Sequence, residues 1–511
     1  MENAPILETL NICKHFPGTL ANDHVCIHLD ETEVLAILGE NGAGKTTLLN
    51  IIYGLYNQDS GEIYINGQLK EINNPHDAIA SGIGMVHQHF MLIPVFTVLE
   101  NIMLGAEITN GPFLDKAKAR QEIIRLSNTY GLAVDPDAIV EELPVGVQQR
   151  VEILKALFRD VKILILDEPT AVLTPQETLE LFEIMRQLKA RGVSIVFITH
   201  KLKEVLEIAD RIVIMRRGQV VGETRPDQVT ESDLANMMVG REVILQVDKS
   251  PATPKEVFFE VKDLVVREKT DLHSVSNVSF TVRSGEILGL AGVQGNGQTE
   301  LVEAITGLRK HESGEVFIDG KLMPQGRPRT MVENGLAHIP EDRHKHGLIL
   351  QYKLTDNFVL CTYYQEPFSH HGVRNKEAIL QNTEELMTRF DVRAPSPFSI
   401  AGDLSGGNQQ KVIVGRELSR PVKVVVANQP TRGLDVGSIE YIHQTLVTMR
   451  DAGVAVLLVS SELDEILSLS DRIAVMYRGK IVATVDAAKT TREEIGLLMA
   501  GLKSQPVSEP A

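Results

Sequence analysis

An α/β fold present twice over is what this sequence predicts, and three observations carry the expectation. The first is a glycine-rich turn, Gly39-Glu40-Asn41-Gly42-Ala43-Gly44-Lys45-Thr46, lying between an apolar run, Val34–Leu38, and a helical pattern, Thr46–Leu55. The second is an alternation of short β-rich runs (Ile163–Leu166, Ser194–Ile198, Ile212–Met215) with helical patterns (Thr178–Ala190, Lys201–Ile208), which argues a largely parallel sheet. The third is that the landmarks recur. Gly39 answers to Gly292, and Ser60-Gly61-Glu62-Ile63 to Ser313-Gly314-Glu315-Val316; further on, Leu143 answers to Leu404 and Asp210-Arg211-Ile212 to Asp471-Arg472-Ile473. A period that long exceeds any solenoid repeat, so a whole domain is duplicated.

The spacing lengthens by eight residues between the early and the late landmarks, and Glu341–Leu354 is the expected place for the extra chain. The join is expected in the polar, proline-bearing stretch 248–256. That puts the first domain at 1–247, the second at 257–503 and a disordered tail at 504–511.

Composition narrows the function. The 511 residues are 43% hydrophobic and 23% charged, and 51 basic against 68 acidic side chains leave a net charge of −17. Nucleic-acid binding calls for a basic face, so that class is disfavoured. No apolar run approaches the roughly 18 residues of a membrane span. The start, Met1-Glu2-Asn3-Ala4-Pro5, lacks the features of a secretory leader. Three cysteines make no disulfide framework, so a reducing, cytoplasmic setting is expected.

The glycine turn is a phosphate cradle. Strand, glycine loop and helix in that order let backbone N–H groups converge on anionic oxygens at a helix N-terminus. Lys45 adds a full charge for the β- and γ-phosphates, and Thr46 a hydroxyl for Mg²⁺. Gly39, Asn41, Gly42, Gly44 and Thr47 complete the nucleotide-binding set. Asp167 and Glu168 end an apolar strand, where α/β proteins bind ligands. Asp167 suits Mg²⁺, and Glu168 suits a general base. Cys13, His15, His24, Cys26 and His28 match no standard zinc spacing and are expected as ordinary strand residues.

Leu404-Ser405-Gly406-Gly407-Asn408 resembles the signature sequence of ABC transporter ATPases, and the phosphate loop with Asp167-Glu168 completes that family's set. The resemblance runs from about Leu7 to Leu502. It implies two tandem P-loop NTPase domains of ABC type, each with a mainly parallel core sheet, an antiparallel β part and a helical subdomain. It also implies roles for single residues. Gln88 matches the Q-loop glutamine that touches Mg²⁺, His200 the switch histidine on the γ-phosphate, and Phe16 the aromatic that stacks on adenine. Ser405, Gly406, Gly407 and Asp435 match the elements that contact nucleotide across a head-to-tail dimer.

The two halves depart from the family pattern in opposite ways. The second half has Gln298 for the lysine, Asn428-Gln429 for the two acids, Glu341 at the Q-loop position and Ser461 at the switch position. An amide cannot act as the base, and losing the lysine's charge-assisted bonds forfeits about 1.5–3 kcal/mol of phosphate binding. The first half instead spoils its signature, with Pro144 and Val145 where serine and glycine are expected, and with Thr174 where the second half has Asp435. Pairing the halves head-to-tail gathers the intact parts of both into one working site and leaves the other without chemistry.

The resemblance therefore implies an ATP- and Mg²⁺-dependent motor on the cytoplasmic face of the membrane. Its partners would be two multi-span permease subunits, identical or different, and an extracellular or periplasmic solute-binding protein. The motor itself makes no contact with nucleic acid or with the solute. Ala427-Asn428-Gln429-Pro430 is closer to the nucleoside branch of such importers, with monosaccharide import the alternative. A soluble twin-ABC factor acting on ribosomes would call for a long charged linker and two working sites.

Overall fold

The computed structural model describes residues 4–16, 19–87, 90–170, 173, 175–199, 201–242, 249–267, 273–293, 295–499 and 501. The chain divides into two compact units, Met1–Val243 and Ile244–Ala511, each containing the same parts.

In the first unit, buried apolar runs flanked by one half-exposed edge strand form a six-stranded sheet. Its order is Gln219–Thr224, Arg211–Arg216, Val34–Leu38, Ser194–Ile198, Ile163–Asp167, Ile83–Val86. Only the edge strand Gln219–Thr224 runs antiparallel. Strands covered on both faces have no polar side to alternate, and all ten residues of Val34–Leu38 and Ser194–Ile198 are buried. A second, antiparallel sheet joins Thr19–Leu29, Leu7–Phe16, Ser60–Ile65 and Gln68–Lys70. Both sheets feed one core of Ile, Leu and Val around Ile12, Leu35, Leu48 and Ile63. The helices Val98–Met103, Lys116–Tyr130 and Val145–Leu157 pack on one another as a separate helical part. The first starts at a capping box, Thr97 with Glu100.

The second unit repeats this plan, with core order Leu336–Ile339, Val424–Asn428, Ala455–Ser460, Ile287–Ala291, Arg472–Tyr477, Lys480–Asp486. Residues 249–256 belong to its packing: Lys249 Nζ donates to Ser470 O at 2.6 Å, and Arg450 Nη2 to Ser250 O at 2.9 Å. The tail 504–511 lies outside the described residues. Among the described residues no helix is long and apolar enough to cross a membrane.

The eight extra residues are not in one place. Asn101 and Asn357 hold the same loop in the two units, each accepting from the backbone N–H eight residues before it, Ile93 at 2.7 Å and Ile349 at 3.0 Å. Their spacing puts only three of the eight before this point. There the second unit makes a π-turn, Arg343–Gly347, rather than an open loop. Four more precede the matching caps Asp115 and Asn375, and the last precedes the turns Val140–Glu142 and Ala401–Asp403. Insertions spread this way lengthen connections and leave both core sheets intact.

Candidate nucleotide site

The register of the core sheet assembles the first unit's site. Ile198 pairs with Ile37 on one side and with Asp167 on the other, so the glycine loop and the two acids emerge at the same sheet end. The loop conformation requires its glycines. Gly44 has φ +97°, and a Cβ there would lie 2.2 Å from Ala21 O; at Gly39 it would lie 2.4 Å from Met215 O. Asn22 Nδ2 donates to Gly44 O at 3.1 Å and ties the loop to the antiparallel sheet.

Lys45 opens the helix Lys45–Ile52 and is only 5% exposed. Its ammonium turns back over its own loop, donating to Gly39 O at 2.7 Å and Glu40 O at 3.0 Å, and so stands over the cradle a phosphate enters. The Thr46 side chain lies beside Asp167 and favours its ionised form. Burial, reinforced by the neighbouring Glu168 charge, raises the Asp167 carboxyl to about 6 against the pull of Lys45 and Thr46. A hydroxyl and a buried carboxylate side by side are hard oxygen donors that fit Mg²⁺. Glu168 sits just past the strand at φ +46°, and its N–H donates to Ile198 O at 2.9 Å. A non-glycine residue in that left-handed region costs about 1–3 kcal/mol and is characteristic of functional sites.

The raised Asp167 has a measurable consequence. The folded chain holds this proton more tightly than the unfolded chain does, so stability is lost as pH rises from the ordinary carboxylate value through about 6. Asp167→Asn should therefore raise the stability of the nucleotide-free chain at pH 7.5 by about 3 kcal/mol. The gain should vanish near pH 4. Thermal unfolding of both proteins across that range checks it.

Phe16 ends its strand with the ring 37% exposed, edge-on to Tyr56 at 5.6 Å and with the Lys14 ammonium 5.8 Å away. An open ring face at that position can stack a base. Asn41, Gly42 and Thr47 lie in the loop and the first helical turn. Gln88, His200 and Thr174 lie outside the described residues.

The histidine and cysteine residues of the antiparallel sheet stand on its first two strands. A bulge at His24 (φ +50°) brings the ligand atoms of Cys13, Asp23 and His24 within 4.8 Å of one another. Asp23 enters this group only through the fold. His15 turns instead to Asp59, at 3.1 Å.

In the second unit the loop keeps its shape, with φ +89° at Gly295 and +99° at Gly297. Gln298 is 6% exposed, and its Nε2 has no hydrogen-bond partner among the described residues. Gln429 retains the left-handed backbone of Glu168 (φ +48°), and its Oε1 accepts from Ser461 Oγ at 3.3 Å. The frame of a catalytic site thus survives with amides in place of acids.

Helix N-termini carry the signature stretches. Ser405 stands at the N-cap of Gly406–Leu418 and receives Asn408 Nδ2 on its Oγ at 3.0 Å, and Pro144 holds the same place before Val145–Leu157; neither side chain bonds to its own helix's N–H groups. Beneath both helices the same brace persists: Gln149 to Pro169 O and Gln410 to Pro430 O, each 2.8 Å. Asp435 caps Val436–Asp451 and holds Ser438 through both N–H and hydroxyl, at 2.8 and 3.0 Å. A Cβ on Gly407 would lie 2.3 Å from Ser438 Oγ and 2.9 Å from Asp435 Oδ2. Gly407→Ala should thus displace this pair and destabilise the second unit by about 1–3 kcal/mol, read by denaturant unfolding.

Residues 23–171 and 275–432 both match the family model described as ABC transporter. The chain belongs to the ABC transporter family. Within it the chain is a two-domain ATP-binding protein and an ATPase. It is 49% identical over 501 residues to the nucleoside import ATP-binding protein NupA of Lactococcus lactis subsp. cremoris, covering 98% of this chain and 99% of the relative. It is 48% identical to the guanosine import ATP-binding protein NupO of Bacillus subtilis, with 97% of each covered. The glucose import ATP-binding protein TsgD13 of Haloferax volcanii is 44% identical, with 98% of this chain and 96% of that one covered. Among solved structures, an archaeal ribosome recycling factor in complex with a ribosomal stalk protein matches 96% of this chain and 92% of its own. Its TM-score is 0.61 at 17% identity, a likeness of fold alone.

One charged residue of the second unit escaped the sequence reading. Arg432 stands where the first unit has Ala171, a charge gained four residues after an acid is lost. Its partner is identified below.

Proposed function

We propose that the chain is the ATP-hydrolysing subunit of a nucleoside importer, working from one catalytic site. The observation that carries the reading is the division of parts between two ABC domains. Lys45, Thr46, Asp167 and Glu168 stand together in the first, while Ser405, Gly406, Gly407 and Asp435 stand at helix starts in the second. Two such domains facing head-to-tail complete one site from these two sets. Names of relatives that align end to end with this chain support the solute class, nucleoside and guanosine at 49% and 48% identity. Glucose and ribose relatives, at 44% and 37%, support the second reading, monosaccharide import.

In this reading Lys45 and the loop amides hold the β- and γ-phosphates, and Phe16 stacks the adenine. Glu168 orients and deprotonates the attacking water, with Gln88 and His200 taking the catalytic roles that the family resemblance assigns them. Mg²⁺, held by Thr46 and Asp167 with Gln88, would offset the charge that builds on the phosphate oxygens. Ser405 and the Gly406–Gly407 amides stabilise the γ-phosphate from the other domain. ATP favours the closed pair because only that state supplies both sets of contacts, and hydrolysis releases it.

Coupling to the solute needs membrane subunits. The first unit offers them a cavity of about 200 Å³ between core and helical part, lined by Tyr53, His87, Met91, Leu104, Glu152 and Arg159. Met91 is 63% exposed at its rim, and Gln88, by its role in the family, would link a docked permease segment to the nucleotide. The corresponding stretch of the second unit carries a buried ion pair, Arg416 to Glu417 at 2.9 Å, with Arg420 Nη2 also 2.9 Å from Glu417.

Affinity capture of the tagged chain from solubilised membranes of its host tests the reading. Multi-span subunits and a solute-binding protein should co-purify, and deletion of the chain should abolish nucleoside uptake and spare ribose and glucose uptake. Recovery of ribosomes in place of membrane subunits would overturn it. Loss of sugar uptake alone would move it to the second reading.

A further inference from the structure

The second domain's phosphate loop is already engaged by its own chain. The Thr299 hydroxyl, counterpart of the Mg²⁺-binding Thr46, donates to Glu341 Oε2 at 3.1 Å. The other oxygen of the same carboxylate, Oε1, is held by Arg432 Nη1 at 2.5 Å. Glu341 is the residue at the Q-loop position, and Arg432 the one that replaces Ala171. These two departures, 91 positions apart, meet directly over the loop. In the first domain the charge of Lys45 acts on Asp167, and the acids there suit a divalent cation. In the second, an anion and a cation answer each other, and the amides Asn428 and Gln429 ask for no metal. Gln298 folds back toward Gly292, as Lys45 does toward Gly39, but brings no charge.

We infer that Glu341 and Arg432 latch the second phosphate loop, with the carboxylate taking the place of the nucleotide's metal-bound phosphate, so that the chain binds one Mg·ATP rather than two. A nucleotide entering the second loop must displace a carboxylate from the hydroxyl that its metal would use. It must also break a guanidinium–carboxylate pair and accept a neutral Gln298 in exchange. The missing lysine weakens the loop, while the latch closes it. Because the inference takes the first domain as the working ATP site, the test has to separate failure of one from failure of the other.

Equilibrium dialysis of the full chain against radiolabelled ATP and Mg²⁺, in a Glu168→Gln background that stops turnover, counts bound nucleotide. One equivalent per chain is expected, lost on Lys45→Ala. Gln298→Lys alone should leave the count at one. Gln298→Lys combined with Glu341→Gln and Arg432→Ala should raise it to two. Glu341→Gln with Gln298→Lys, leaving Arg432 in place, is the milder variant, and unchanged unfolding of the second domain confirms that it folds. Two equivalents in the parent, or in Gln298→Lys alone, overturn the latch and leave the first-domain site standing. A count of one in the combined variants also overturns it. An equivalent that survives Lys45→Ala overturns both the latch and the first-domain reading.

Discussion

Glu168→Gln should cut steady-state ATP hydrolysis by about 1000-fold while leaving nucleotide bound, because the amide keeps the shape and loses the base. The backbone accounts for so clean a separation. Glu168 is placed by its left-handed φ of +46° and by its N–H to Ile198 O, neither of which involves the carboxylate. The second domain serves as the internal control, since Gln429 has the same backbone and already carries the amide. Gln429→Ala should therefore change the rate by no more than about twofold. Single-turnover rates on the two variants decide it. Comparable losses at positions 168 and 429 would refute a single catalytic site.

Lys45→Ala is expected to lower kcat/KM for ATP by at least about 100-fold, through both binding and the transition state. The side chain is buried and turned over the cradle, held by two carbonyls of its own loop. A truncated side chain leaves those carbonyls to face an incoming phosphate with no intervening cation. Lys45→Arg would not rescue it, since a planar fork cannot occupy a space shaped for a compact ammonium. The matching change in the second domain, Gln298→Ala, should retain most of the activity. Comparing the three variants by initial rates over a range of ATP concentrations separates loss of binding from loss of chemistry.

The sequence reading reached the first domain's site because each of its parts is short and contiguous. The glycine loop from Gly39 to Thr46, the acids at 167–168 and the serine–glycine tip at 405–407 each carry their chemistry within a few residues. Their strands and helices were also found, displaced by one to three residues at the ends: Lys45–Ile52 for a helix read from Thr46, Pro175–Ala190 for one read from Thr178. Where the extra eight residues lie was misread. Landmarks on either side fix how many residues are added but say nothing of where, and the paired asparagines Asn101 and Asn357 located them only through their hydrogen bonds. The sequence shows Glu341 only as an acid at the Q-loop position, because its counter-ion is 91 positions away.

What the sequence by itself determined is the duplication, the class of chemistry and the split of intact parts between two halves. Backbone amides in a row and side chains at fixed short spacings make their own local geometry, so residue order is enough to read them. Only the tertiary structure decided that Glu341, Thr299 and Arg432 meet, that Asp23 joins Cys13 and His24, and that burial beside Glu168 raises Asp167 to about 6. Coulombic and hydrogen-bond energies depend on distance and on exclusion of water. For segments far apart along the chain, both are set by how the sheets pack and not by the order of the residues.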